Sequence, residues 1–362
     1  MRNKNLLLLL LVLSSVLELT AQRRVLLEHY TSSWCGECPN AHLMASQIAE
    51  DYPDRVILAY HHSSVDPMAN PHSTTWKDEF LIFGTPLGVI NRTPPTSTGP
   101  IYASTSQWGS LVDTQLEEPD YLDLDIAFEP QPATGSLSFT VAIELLQELP
   151  GPGELRLSVI VVEDSIQSPE PGYQQSNYYN EVAGHPLFGQ GGSIQMYPFM
   201  NVVRDIVDET WGSSAGLPDQ PETGETYFWE GNFDLSNDWA PEHLRLIAVA
   251  TLHNGEDIRS RPVLDARAID IGDQLLTSTS SEAEAYFTSR AFPNPAQGYV
   301  QLNFPKGEYK LKLFDIQGKL IHAAHANGVT HTLYTPAIPK GIYMLLLVNT
   351  QGQSGAQQII IR

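Results

Sequence analysis

The sequence predicts a multidomain protein, α/β in its first third and all-β beyond. Three observations point there. Strand and helix patterns alternate from Val25 to about residue 118. Strictly alternating strands with almost no helical period follow, separated by Gly and Pro clusters. The chain has 362 residues, more than one hydrophobic core usually serves.

Arg2 and Lys4 precede the apolar run "LLLLLLVLSSVLEL", which closes on the small residue Ala21. This pattern predicts a secretory signal peptide over residues 1–21, and the run is short and interrupted for a membrane anchor. No later stretch is long and apolar enough to span a bilayer. Asp and Glu number 42 against 20 Lys and Arg, a formal charge of -22. So acidic a chain, with no basic cluster, is a poor partner for nucleic acid or anionic lipid.

Residues 22–118 read as the α/β unit. "VLLEHYT" (25–31) is a buried strand, and "CPNAHLMASQIAEDY" carries Ala41, Met44, Ile48 and Ala49 at helical spacing behind Pro39. "RVILAYHH" (55–62) is a second strand, a short helix lies near "HSTTWKDEFLIF", "GTPLGVINR" turns into a third strand, and "STSQWGSLVDTQLEE" is a further helix. Residues 119–272 hold seven strand-like runs, beginning with "YLDLDIAFEP", and predict an immunoglobulin-like β-sandwich. The long loop over residues 165–198 is expected either to offer its tyrosines as a contact surface or to pack on its own sandwich. Residues 273–288 have linker composition, and 289–362 form a third, small all-β unit whose last strand is ordered to the terminus.

Cys35 and Cys38 in "SSWCGECP" are the only cysteines. In an exported chain a pair two residues apart is a local feature and no disulfide framework. At a helix start Cys35 meets unpaired N–H groups and the positive end of the helix dipole, which favour a thiolate, whereas the Glu37 carboxylate opposes it. Cys38, about one turn along, lies within disulfide reach and could resolve a mixed disulfide. A static disulfide is the alternative. A metal clip drawing on His42, His61, His62 and His72 lacks the spacing of a known site.

Trp34-Cys35-Gly36-Glu37-Cys38-Pro39, following "VLLEHYTSS", resembles the active-site segment of the thioredoxin superfamily, and Thr85-Pro86 resembles its cis-proline loop. The resemblance covers residues 25–118. It implies Cys35 as nucleophile, Cys38 as resolving thiol, Trp34 and Pro86 beside a bound peptide, and no cofactor other than the redox-active disulfide. The family's buried acid falls on Glu28 if the turn holds one extra residue, and an ungapped count gives His29; Glu28 is the expected choice. Glu37 replaces the proline of thioredoxin, which leaves the direction of electron flow open.

In the tail, "FPNPAQGYVQLNF", "YKLKLFDIQGKLI", "PKGIYMLLL" and "QIIIR" resemble the C-terminal sorting domain of type IX secretion. That likeness implies passage through the periplasm, transport by the type IX machinery and a secreted or outer-membrane surface location. With "VVEDSIQ" and "FMNVVRD" in the middle, the whole chain resembles the Omp28-related outer membrane proteins. The expected function is thiol–disulfide exchange with unidentified protein thiols or disulfides. The other expectation is a non-catalytic surface adhesion or binding protein with a structural disulfide.

Overall fold

A computed structural model describes residues 22–63, 65–131, 136–214, 216–255, 257–271, 290–315, 319–350 and 354–362. The expected leader (1–21) and linker (273–288) lie outside the described residues.

The first part runs β1 (Val25–Thr31), α1 (Cys38–Asp51), β2 (Val56–His62), α2 (Pro71–Glu79), β3 (Leu87–Ile90) and α3 (Trp108–Leu116). β1 is parallel to β2 and antiparallel to β3. All seven residues of β1 are buried, because both faces of the sheet are covered. Leu26 and Tyr30 pack on one face with Trp76 of α2 and Phe80. Val25 and Leu27 pack on the other with Ala41 and Ala45 of α1 and Trp108 and Val112 of α3. This alternation decides where every polar residue of β1 points.

The seven strand-like runs of the middle part are β4 (Leu122–Gln131), β5 (Ser136–Leu145), β6 (Glu154–Glu163), β9 (Val202–Val207), β10 (Thr226–Asp234), β11 (Leu244–His253) and β12 (Val263–Asp270). Two short strands, β7 (Gln175–Ser176) and β8 (Ser193–Ile194), pair within the long loop. A three-stranded sheet ordered β10-β5-β4 faces a seven-stranded one ordered β12-β11-β6-β9-β2-β1-β3. Ile126, Val141 and Trp229 from the small sheet meet Leu157, Leu246 and Leu264 from the large one.

The large sheet thus continues from the expected sandwich through β9 into β2, β1 and β3, so the chain on either side of residue 119 shares one sheet. The junction is narrow. Tyr60 pairs with Val202 in parallel, and Tyr60 N donates to Asn201 O at 2.6 Å. It gives the outer edge of the fully buried β2 a partner, which an unpaired buried edge requires.

The tail is a five-stranded sheet ordered β13-β17-β16-β14-β15, from β13 (Arg290–Gln297), β14 (Tyr299–Asp315), β15 (Leu320–Tyr334), β16 (Gly341–Asn349) and β17 (Ser354–Ile361). Ile342 and Ile360 pack with Ala127 and Ala142 on the outer face of the small sheet, and Arg362 pairs with Glu230 at 2.6 Å. Among the described residues no helix is long and apolar enough to cross a membrane.

Candidate redox site

Cys35 and Cys38 are joined by a disulfide. The chain leaves β1, turns with Cys35 N donating to Ser32 O at 3.1 Å, and enters α1 at Cys38 with Pro39 in the first turn. Cys35 therefore stands just outside the helix and Cys38 at its first residue. Glu37 caps α1 with its backbone only, and its side chain is exposed. Trp34 is 54% exposed, whereas Cys35 is 5% exposed and Cys38 fully buried.

The β1–β3 register pairs Tyr30 with Leu87, so Pro86 follows on beside Thr31 at the same end of the sheet. The Thr85–Pro86 peptide is cis. Trp34, Cys35, Cys38 and Pro86 are thus gathered at one end of β1.

Glu28 is not part of that group. It points to the α2 face of β1, the opposite side from α1, and is fully buried. Arg92 Nε and Nη2 donate to its two carboxylate oxygens at 2.9 and 2.8 Å. Asn91 and Arg92 both take left-handed backbone (φ 46° and 48°), a conformation uncommon outside glycine, and this turn brings Arg92 under the sheet. Its guanidinium also lies 4.1 Å from the Trp76 ring centroid. Burial acts to raise the Glu28 pKa, but Arg92 and His61 outweigh it and hold the carboxyl at about 2. Glu28 therefore lies on the opposite face of β1 from α1 and Cys38, with Arg92 favouring its charged form. The alternation of β1 corrects the expectation to the ungapped count: His29 faces α1.

His29 is completely buried, its ring 5.1 Å from that of His42, one turn beyond Cys38 on α1, and 5.0 Å from those of Tyr60 and Trp108. Neither of its ring nitrogens has a hydrogen-bond partner among the described residues. His42 contacts Thr31 Oγ1 at 3.0 Å and Tyr197 Oη at 2.9 Å. Burial pushes the pKa of His29 well below the usual histidine range and that of His42 to about 3, with neighbouring histidines adding to both. Both rings are neutral. His61 contacts Ser73, His62 Asp66 and His72 Thr210, so the candidate metal ligands disperse to separate partners while both sulfurs are spent in the disulfide.

Two features escaped the sequence reading. Asp66 accepts Ser33 N–H at 2.6 Å and Met68 N–H at 3.1 Å and contacts His62 Nδ1 at 3.0 Å, pinning the turn before the cysteines. Burial would raise its pKa, but these bonds keep it below the ordinary value. Its only sequence trace is the Asp66-Pro67 turn signal. The second feature is the target of the long loop, which reaches the cysteine turn itself. Ser176 N donates to Ser33 O at 2.7 Å, Tyr178 N to Gly36 O at 2.9 Å and Gln175 Nε2 to Cys35 O at 2.8 Å.

Residues 290–362 match the secretion system C-terminal sorting domain. The tail gives the protein its destination: it is exported, and is secreted or attached to the outer-membrane surface. Among solved structures the chain is similar to HBP35 of Porphyromonas gingivalis, at 14% identity and a TM-score of 0.56, over 95% of this chain and 99% of that one. A protein of Agrobacterium tumefaciens is similar at 12% identity and a TM-score of 0.41, over 70% of this chain and 96% of the other. No curated protein matches. The HBP35 likeness extends to the fold alone, that of a multidomain chain combining α/β and β structure.

Proposed function

We propose that this chain is an exported thiol–disulfide exchange protein whose N-terminal portion is thioredoxin-like and whose middle is an immunoglobulin-like sandwich joined to it through β9. Of everything in the structure, the Cys35–Cys38 disulfide at the entrance of α1, beside the Thr85–Pro86 turn, carries the reading. The units are read as 22–118, 119–272 and 289–362, and the whole as Omp28-related. The alternation of strands and helices over residues 25–116, and the segments Val161–Gln167 and Phe199–Asp205 at the end of β6 and the start of β9, support this.

In the exchange, a partner thiolate attacks Cys35 Sγ and the Cys35–Cys38 bond breaks. Cys38 leaves as a thiolate and takes up a proton. A second thiol of the partner then displaces Cys35, so the partner is oxidised to a disulfide and the pair is reduced to a dithiol. Run in reverse, Cys35 attacks a partner disulfide and Cys38 resolves the adduct. Trp34 and Pro86 border the approach to Cys35. Glu28 is assigned to stability.

A Cys38→Ser variant leaves Cys35 without its resolving thiol and should accumulate mixed disulfides with other proteins, seen as bands that vanish on reduction. Absence of such bands, together with absence of disulfide-reductase activity, counts against exchange. A binding role is the second reading, favoured by the exposed Tyr178, Val182 and Phe188 on the long loop. There Cys35→Ser leaves partner binding intact.

A further inference from the structure

Cys35 sits in a surface turn, flanked by the exposed Trp34 and Glu37, yet is itself 5% exposed. The long loop lies against this turn. The carbonyls of Ser33, Cys35 and Gly36, which an approaching chain would meet first, already accept hydrogen bonds from Ser176 N, Gln175 Nε2 and Tyr178 N. The Tyr178 ring lies so close over Gly36 that a Cβ there would fall 2.2 Å from a ring carbon. Further along, His185 Nε2 contacts Asn40 Oδ1 at 2.9 Å and Tyr197 meets His42 on α1. We propose that residues 175–178 are a built-in cover over the Cys35–Cys38 disulfide, and that a thiol reaches Cys35 only while this segment is lifted.

The segment is built to lift as a piece. Its own strand pairing is limited to two residue pairs, Gln175 with Ile194 and Ser176 with Ser193. Asn177 Nδ2 donates to Leu187 O and Gly191 O, tying the segment to its own loop and not to the scaffold. Tyr178 is 73% exposed, so its ring leaves without opening a core. Lifting breaks four hydrogen bonds to the cysteine turn, two of them from the buried Gln175 amide to Cys35 O and Ser32 O, and a ring contact, the scale of a local opening short of global unfolding.

The inference deepens the exchange reading and rests on it. The test is the rate at which the full-length oxidised protein is reduced by tris(2-carboxyethyl)phosphine, followed by alkylation of the released thiols. The phosphine gives two electrons to the disulfide and becomes the phosphine oxide with oxygen from water, and both sulfurs emerge as thiols. Gln175→Ala combined with Tyr178→Ala removes the amide's bonds to Cys35 O and Ser32 O, and the ring. Gly36→Ala pushes the ring away from the other side. Both should be reduced about tenfold faster than wild type, the factor expected for weakening a cover held by a few hydrogen bonds. Tyr178→Phe keeps the ring and should retain the wild-type rate, which separates loss of the cover from general loosening. Unchanged rates in both opened variants, or equal acceleration in Tyr178→Phe, overturn the proposal. Reduction potentials of the same samples keep the two ideas apart. Accelerated reduction of a pair with the potential of an inert structural bond retires exchange and leaves the cover standing; an exchange-range potential with unchanged rates does the reverse.

Discussion

At the scale of single residues, alternation along β1 decides the chemistry. Glu28 and His29 are neighbours in sequence and lie on opposite faces, so one joins a buried ion pair and the other the neutral ring cluster behind α1. Glu28→Gln should cost roughly 3–5 kcal/mol in denaturant unfolding, because it leaves Arg92 buried without its counter-charge. Acid should have a second, distinct effect. The folded His42 resists protonation down to about pH 3, while in the unfolded chain it titrates near 6.5. Between those values the unfolded state binds the extra proton, so stability falls as pH falls through this window and is unaffected by His42 above it. Comparing wild type with His42→Phe isolates the contribution: their stability difference should be constant above pH 6.5 and then shift by about 1.4 kcal/mol per pH unit below it. A difference that stays flat from pH 6.5 to 4 means that the buried ring is not excluded from protonation.

At the scale of elements, the critical piece is the short β9 and the loop that leads into it. Asp164 accepts Asn201 N–H at 2.6 Å and Arg245 Nε–H at 2.8 Å, so one carboxylate fastens the end of β6 to the start of β9 at the point where the two parts of the large sheet meet. Asp164→Ala should lower stability by about 1–3 kcal/mol and make residues 165–200 the first site of limited proteolysis. Protection equal to wild type would show that the loop is fastened elsewhere. The helices and strands themselves were readable. α1 announces itself by Pro39 and the helical spacing of Ala41, Met44, Ile48 and Ala49, and β4 by the strict alternation of Leu122, Leu124 and Ile126. The pairing of β2 with β9 was not, because Tyr60 and Val202 are 142 residues apart and a buried strand carries no mark of which buried strand lies beside it. The long loop was conspicuous by length, but its role rests on main-chain bonds to Ser33 and Gly36, which any sequence could make, and on the Gln175 amide and Tyr178 ring, whose targets no local pattern marks.

At the scale of the whole molecule, the sorting tail gives the location and the cysteine turn the proposed chemistry, and different signals made them legible. The four tail motifs fall in fixed order across the five strands of the tail sheet. The site rests on two cysteines and a Thr-Pro turn, while the residues that shape its surroundings come from elsewhere in α1 (His42), the turn after β2 (Asp66) and the long loop (Tyr178). Deleting residues 290–362 removes a sheet that touches the rest through a small apolar patch and the Arg362–Glu230 and Lys340–Glu225 pairs. The shortened protein should keep its Cys35–Cys38 disulfide but no longer reach the cell surface, as read by protease shaving and fractionation; surface delivery without the tail would contradict its role. The central claim, that the disulfide is a working exchange site, meets its most direct test in the reduction potential of the pair, equilibrated with glutathione and read by alkylation. Exchange predicts a value between about -120 and -270 mV, and a value below about -300 mV would contradict it and mark the bond as a static staple.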